Sequence, residues 1–333
     1  MKRRVVLLSL LLLISLCLLF AGCRKTDEGE GKESVVYYTV TYDTNGGSSI
    51  EPRQVSAEGL LPDPGVPERE GYLFGGWTHD GVSVKFGITQ VKGDMVVRAN
   101  WISAESMFGY ARVEETDTAV ITELKGEMEE LRIPTSIGNY RVVGLGDSLF
   151  SSLESEKIKK IFVPHTVTFI GEEAFSEIAS IAIEFDERCE ITSLGERAFF
   201  GCVGLTDIPL GEGLTLIPYE AFAGSSLKSI RLPASVTKID ENAFDSCAAL
   251  VAVMMHHTVE SVENAAFFEC AALKTIFFYG SAEQADALIG DRTDAMNEPF
   301  KNAKIYLYAE TKPSAEGKYE YWHFDGKQKT KIW

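Results

Sequence analysis

The chain has 333 residues, of which 45% are hydrophobic and 24% charged, so it is long enough to bury a sizeable core and to hold two domains. It carries 49 acidic and 32 basic side chains, which give a formal net charge of −17. Such an excess of carboxylates repels nucleic acid and anionic lipid surfaces, so neither is predicted as a partner of the folded domains.

The first 22 residues have the pattern of an export signal. Residues 2–4 are basic, residues 5–20 form an apolar run, and two small residues separate that run from Cys23. A spanning helix needs about 20 apolar residues and usually carries charges beyond both ends. The pattern therefore predicts a cleaved signal peptide over 1–22.

The stretch LFAGC, which ends at Cys23, resembles the lipobox of bacterial lipoproteins. This resemblance implies that the Cys23 thiol takes a diacylglycerol, that the chain is cut before it, and that lipid anchors the protein to a membrane. Phe20 departs from the Leu, Val or Ile usual at its position. An uncleaved anchor helix and ordinary signal cleavage are the alternatives. Residues 23–36 are then the lipidated cysteine and a polar, flexible tether.

Residues 37–102 have the alternation and turns of a small β module. A strand pattern over 37–42 is followed by DTNGG, whose residues favour tight turns with positive φ and predict a first hairpin. The segments YDTNGGS, EGYLFGGW and DMVVRANW resemble, in order and spacing, the B-repeat module of internalin-type bacterial surface proteins. The resemblance implies a β-grasp-like module that acts as a spacer or in adhesion.

Residues 108–310 contain an internal repeat. The segments that begin at Leu227 and Leu250 align without a gap as LxxIxLxxxVxxIxxxAFxxC. Phenylalanines recur in this frame at steps of 22 to 25 residues: Phe150, Phe175, Phe199, Phe222, Phe244 and Phe267. This period is typical of a leucine-rich repeat, whose coils bury one another's apolar faces. The pattern resembles the BspA-type leucine-rich repeat of bacterial surface antigens.

These patterns predict a mainly β, repeat-based fold, in which the β-grasp-like module precedes a solenoid of about seven coils. Residues 311–333, with Trp322 and Trp333, are predicted to cap the exposed end. Three cysteines stand three residues after a repeat phenylalanine, a slot that faces the coil interior. They are expected to be buried thiols, and a disulfide between Cys247 and Cys270 in adjacent coils is the alternative.

No sequence pattern indicates catalysis, a cofactor or a metal. Residues 146–149 spell the GDSL block of a serine hydrolase family, but the Asp-x-x-His pair of that family is missing near the chain's end. They also occupy the repeat slot that reads IGEEAF at 170–175. His256 and His257 adjoin, but neighbouring strand residues point to opposite faces. We predict a protein that is not an enzyme and has no small-molecule substrate.

Alternation also predicts which strand residues point outward from the solenoid. The outward column reads Arg132, Phe162, Ala182, Pro209, Arg231, Met254 and Phe277. Aromatic residues, Met and Arg are enriched at interfaces. Phe162, Arg231, Met254 and Phe277 are therefore predicted to bind a partner. The alternative is that the N-terminal module or a loop covers this face.

The resemblances imply an exported, lipid-anchored protein of the cell membrane or outer membrane. They further imply display on the cell surface and adhesion to a protein or extracellular-matrix partner. A periplasmic envelope scaffold or assembly protein, not exposed to the outside, is the alternative.

Overall fold

The computed structural model describes residues 35–151, 153, 156–291, 296–313, 318–325 and 329–332. The predicted signal peptide and Cys23 lie outside these residues, as does Trp333. In the described part of the chain, no helix combines the length and the apolar character needed to cross a membrane.

A five-stranded sheet opens the described chain. Its strands are β1 (Tyr37–Asp43), β2 (Arg53–Ser56), β3 (Tyr72–His79), β4 (Val82–Ser83) and β5 (Met95–Ser103). Their order is β2-β1-β5-β3-β4, with β1 and β5 parallel and the other neighbours antiparallel. The predicted first hairpin is confirmed, because β1 pairs with β2.

The three motifs of this module pack together. Val40, Trp77 and Val97 are fully or nearly fully buried in one small core, as the period-two alternation of their strands requires. A Cβ on Gly47 would lie 2.5 Å from the Trp101 ring, so the tight turn after β1 needs glycine there. Residues of the three sequence motifs therefore contact one another in the folded module.

From residue 104 the chain winds into stacked coils. Helix α1 (Ala104–Met107) leads into the antiparallel pair β6 (Phe108–Val113) and β7 (Thr118–Leu124) at the N-terminal end of the stack. One side of the coils carries the short strands β9 (Ser136–Ile137), β10 (Tyr140–Leu145), β12 (Phe169–Ile170), β14 (Ser193–Leu194), β15 (Leu216–Ile217), β17 (Lys238–Ile239) and β19 (Ser261–Val262).

The other side of the coils carries the longer repeat strands, and we call its outward surface the strand face. These strands are β8 (Glu130–Arg132), β11 (Lys160–Val163), β13 (Ala182–Phe185), β16 (Ser229–Arg231), β18 (Ala252–His256), β20 (Thr275–Tyr279) and β21 (Lys304–Tyr308). Helices α2 (Ala282–Asp291) and α3 (Glu298–Asn302) lie between β20 and β21 in the chain, and β22 (Glu320–Phe324) with β23 (Thr330–Ile332) ends it.

A ladder of phenylalanines runs through the interior. Successive rings stack with centroids 4.9 to 5.7 Å apart, and each is at most 1% exposed. The ladder consists of Phe150, Phe175, Phe199, Phe222, Phe244, Phe267 and Phe300. The predicted repeat register at these positions is confirmed, and Phe300 extends it by one coil.

The described cysteines are buried free thiols, as predicted. Two of them tie adjacent coils together without a disulfide. The Cys247 thiol donates a hydrogen bond to the Phe222 carbonyl at 3.0 Å, and the Cys270 thiol donates to the Phe244 carbonyl at 3.0 Å. In these two coils the slot three residues after the ladder phenylalanine therefore serves coil stacking.

Candidate binding surface

The predicted outward column is correct in its C-terminal half. Arg231 lies beside Met254, Met254 beside Phe277, and Phe277 beside Tyr306 across parallel strands. At the N-terminal end Arg132 lies beside Phe162, as predicted.

The predicted register of the third coil, which placed Ala182 beside Phe162, is wrong. Ile161 pairs with Ile183, so Glu184 is the outward neighbour of Phe162, and Ala182 lies beside Lys160. Ala182 still points to the strand face, one step earlier along its strand. The reason is that the third coil has apolar residues at three alternate positions, which satisfy two registers equally well.

The column is also interrupted at the fourth coil, where a strand through Pro209 was predicted. Proline has no N–H to donate to a sheet ladder. The Pro209 carbonyl instead accepts a hydrogen bond from the Ile191 N–H at 2.8 Å, and Gly211 donates to the Ile191 carbonyl at 2.9 Å. The strand face therefore splits into two sheets, β13-β11-β8 and β16-β18-β20-β21-β22-β23.

A cleft of about 250 Å³ lies between the first module and the N-terminal end of the strand face. Aromatic rings from both modules line it: Tyr72, Phe74 and Trp101 from the first, Phe162 and Phe185 from the second. The Gly71 N–H donates to the Ser136 hydroxyl at 2.9 Å across this junction. Phe162 is half-buried, and residues of the first module lie across the cleft from it.

Cations and carboxylates surround the rings of this cleft. The Arg132 guanidinium lies 3.7 Å from the Phe162 ring centroid, and the Arg69 guanidinium lies 4.0 Å from that of Tyr72. Lys160 forms an ion pair with Glu184 at 2.7 Å. Such an arrangement offers flat apolar surfaces beside fixed charges, which suits contact with a protein.

The C-terminal end of the strand face is covered by the β22–β23 hairpin. Trp322 is 0% exposed, and its ring centroid lies 5.3 Å from that of Phe277, 4.9 Å from Tyr279 and 5.1 Å from Tyr308. Trp322 therefore packs over the aromatic side chains at the C-terminal end of the strand face. Phe277 is packed against the chain's own hairpin and is not a free anchor.

The two remaining predicted contact residues lie between these covered ends. Arg231 is exposed, and its guanidinium lies 5.4 Å from the ring centroid of Phe324 in the hairpin. Met254 is half-buried beside it. His256 stacks on Tyr279 at 4.3 Å, and burial lowers the pKa of its imidazole.

The GDSL block, which was the sequence candidate for hydrolase chemistry, serves coil packing. Ser148 of the GDSL block has a φ of 52°, and its N–H donates to the Glu172 carbonyl of the next coil at 2.7 Å. Among the described residues, no group of three or more His, Cys, Asp or Glu side chains has the arrangement of a metal site.

Comparison with known proteins gives the two modules their families. Residues 182–287 match the BspA type Leucine rich repeat region in six copies, and residues 38–100 match the Listeria-Bacteroides repeat domain. This chain carries BspA-type leucine-rich repeats behind a Listeria-Bacteroides repeat. Both resemblances drawn from the repeat patterns are confirmed.

Two proteins of Evansella cellulosilytica resemble this chain over short stretches. One, whose name calls it a Gly-rich membrane protein, is 34% identical over 90 residues and covers 24% of this chain. The other, named as a membrane protein, is 32% identical over 73 residues and covers 21% of it. The chain spans only 10% and 11% of the lengths of these relatives.

Among solved structures, the chain resembles other leucine-rich repeat proteins. The Treponema pallidum Leucine Rich Repeat protein is 26% identical, with 52% of this chain and 83% of that chain covered and a TM-score of 0.45. A leucine-rich repeat protein from Bacteroides ovatus is 27% identical, with 60% and 54% covered and a TM-score of 0.44.

Proposed function

We propose that this chain is a lipid-anchored surface protein that binds a protein partner, on host cells, matrix or other cells, through the strand face of its BspA-type repeats. Proteins with this repeat type generally act as modules for protein interaction. Stacked coils suit that role because they present an extended surface.

The observation that carries the proposal is the aromatic cleft between the two modules. One of the five rings, Tyr72, is exposed and the other four are half-buried, so together they leave apolar surface open between the two modules, which supports a contact surface there. Phe162 lines this cleft, and Arg132 and Glu184 are its neighbours on the two adjacent parallel strands. It is therefore the proposed principal anchor, with Arg231 and Met254 farther along the same face.

Lipid anchoring through Cys23 supplies the location. The two Evansella relatives are named as membrane proteins, which supports a place at the membrane for this chain. We expect Cys23→Ser to abolish incorporation of labelled fatty acid and to release the protein from membranes. Labelling that persists in the variant would move the anchor elsewhere.

Adhesion of cells that express Phe162→Ser tests the partner-binding role. Phe268→Ser is the matched control, because Phe268 is a 38% exposed phenylalanine of the same solenoid that follows a ladder position. With circular dichroism and melting unchanged in both variants, we expect only Phe162→Ser to lose adhesion to host cells or matrix. Equal adhesion by both variants would refute the role of the cleft.

Protease shaving of intact cells tests the proposed display. Loss of the folded modules from whole cells would support surface exposure. Full protection would instead assign the protein to the periplasm, where a scaffold or assembly role applies.

A further inference from the structure

We propose that the break in the strand face at the fourth coil binds an extended, basic segment of a partner protein, which pairs with the open edge of β13. This inference rests on the proposed function, because it names the chemistry of the partner that the strand face binds. It concerns a groove next to the aromatic cleft and shares with it Glu184, Phe185 and Asp186.

Strand β13 is the last strand of its sheet on the side of the fourth coil. Ala182 and Asp186 donate backbone hydrogen bonds to the preceding coil. Because the N–H groups of successive strand residues point to opposite sides, those of Ile183 and Phe185 point toward the break. There Ile183 donates to the Gly204 carbonyl at 3.3 Å. No further backbone hydrogen bond joins β13 to residues 205–210, a segment that the structure describes throughout.

An open edge of this kind is a template for an added strand. A groove of about 500 Å³ lies along it, lined by residues 183–187 and by Thr206, Asp207 and Pro209. The fourth coil does not fill the groove with a strand of its own, because the Pro209 carbonyl is turned toward Ile191. The edge of β13 therefore offers both backbone hydrogen-bonding groups and the space for an added strand.

The charge of the groove defines the partner. Its lining includes four carboxylates and no basic side chain. Glu184 and Asp186 have basic neighbours, Lys160 at 2.7 Å and Arg188 at 3.1 Å. Glu187 and Asp207 are exposed, and the ion pairs among the described residues include neither. Charge complementarity therefore favours lysine or arginine on the added strand.

Fluorescence anisotropy of the purified full-length protein with a short labelled peptide of alternating lysine and valine tests this proposal. The groove variant combines Glu187→Gln with Asp207→Asn. The matched control combines Glu172→Gln with Glu196→Gln, two exposed carboxylates in turns that lead to ladder phenylalanines. Both variants remove the same charge.

We expect the groove variant to bind the peptide about fivefold more weakly, and the control to change by less than about twofold, as the loss of two local charge pairs implies. A peptide N-methylated at alternate amides should lose binding, because it cannot pair with β13. Equal weakening in both variants, or equal binding of the methylated peptide, would overturn the proposal, as would no binding by the unmodified protein.

Failure here is distinguishable from failure of the proposed function. If Phe162→Ser abolishes adhesion while the peptide results are negative, the strand face binds a partner of other chemistry. If the peptide binds as expected while adhesion is unaffected by Phe162→Ser, the groove stands and the aromatic cleft does not contribute.

Discussion

In six of the seven coils of the ladder, a residue shortly before the phenylalanine takes the left-handed backbone conformation. Two positions before it, six coils have φ between 49° and 56° at Ser148, Glu173, Arg197, Glu220, Asn242 and Ala265. None of these is glycine, although L-residues pay about 1 kcal/mol or more for that conformation. The sequence therefore could not indicate these turns, since the usual glycine signal is absent, whereas the apolar ladder itself was readable from its period.

Close contact between adjacent coils also requires glycine at certain positions. A Cβ on Gly195 would lie 2.3 Å from the backbone nitrogen of Glu172 in the preceding coil. The equivalent place in later coils holds Pro218, Asp240 and Glu263, so this requirement for glycine is confined to the early coils.

We expect Gly195→Ala to lower the free energy of unfolding by about 1 to 3 kcal/mol, because the backbone must shift to admit the methyl group. Gly93→Ala is the control, since nothing lies within 4 Å of a Cβ there. Urea denaturation of both variants measures the difference. Equal midpoints would contradict the crowding.

The buried thiols predict a pH dependence of stability. Burial raises the pKa of the Cys202 thiol to about 12 and that of Cys247 to about 11. An unfolded chain releases these protons near pH 8.5, at roughly the ordinary thiol pKa. The contribution of these two thiols to the free energy of unfolding is therefore fully present below about pH 8.5. It is lost as the pH rises toward their pKa values in the folded protein.

We expect Cys247→Ala to lessen this fall, because the alanine variant has one proton fewer to lose on unfolding. The measurement is the change in urea midpoint between about pH 8 and pH 10, compared with the unmodified protein. The test compares how the urea midpoint changes with pH and not its absolute value, so the small cavity left by the alanine substitution does not affect the result. Parallel slopes would show that this thiol ionises alike in both states.

At the scale of elements, register could be predicted where coils have equal length. The coils that begin at Leu227 and Leu250 align without a gap, and their outward residues do lie side by side. In the third coil Ile181, Ile183 and Phe185 alternate, so shifting the strand by two residues buries the same side. Only the observed pairing of Ile161 with Ile183 decides between the registers.

The hydrogen-bond partner of the Phe267 N–H at the end of the repeat array could not be predicted from the pattern. In earlier coils the ladder N–H donates to an alanine carbonyl of the next coil, as Phe244 does to Ala266 at 2.8 Å. After Phe267 the chain makes a longer excursion through α2. There the Asn297 side chain accepts from the Phe267 N–H at 2.8 Å and donates to the Glu263 carbonyl at 2.7 Å. A side chain thus replaces the missing backbone partner.

The C-terminal hairpin was predicted as a cap but not as a cover of the strand face, because β22 lies outside the repeat pattern. We expect Trp322→Ala to destabilise the protein by about 3 to 5 kcal/mol, the range for a fully buried large aromatic residue. It should also increase binding of an apolar dye, since Phe277 and Tyr279 lose their cover. Phe268→Ala, at a 38% exposed phenylalanine, is the control. Dye binding equal to that of the control would mean that the hairpin does not shield these rings.

At the scale of the whole molecule, the two modules share a core. Leu73 lies on β3 of the first module but is 2% exposed within the apolar core of the solenoid. Its partner across the sheet, Ile102, packs against the same core. Strand β5 also continues directly into α1, whose Ala104 and Met107 are buried there. The aromatic cleft depends on this junction, because its walls come from both modules.

We expect Leu73→Ala to loosen the N-terminal coils even though the substitution lies in the other module. Loss of a buried leucine costs about 2 to 5 kcal/mol, and here part of that loss falls on the solenoid. Hydrogen exchange of the amides in β6, β7 and β10 measures it, and protection should fall there. Val91→Ala is the matched control, because Val91 is fully buried within the core of the first module alone. If protection of the three strands falls equally in both variants, the effect is general destabilisation. If Leu73→Ala leaves their protection unchanged, the modules fold independently and the cleft between them is not held rigid.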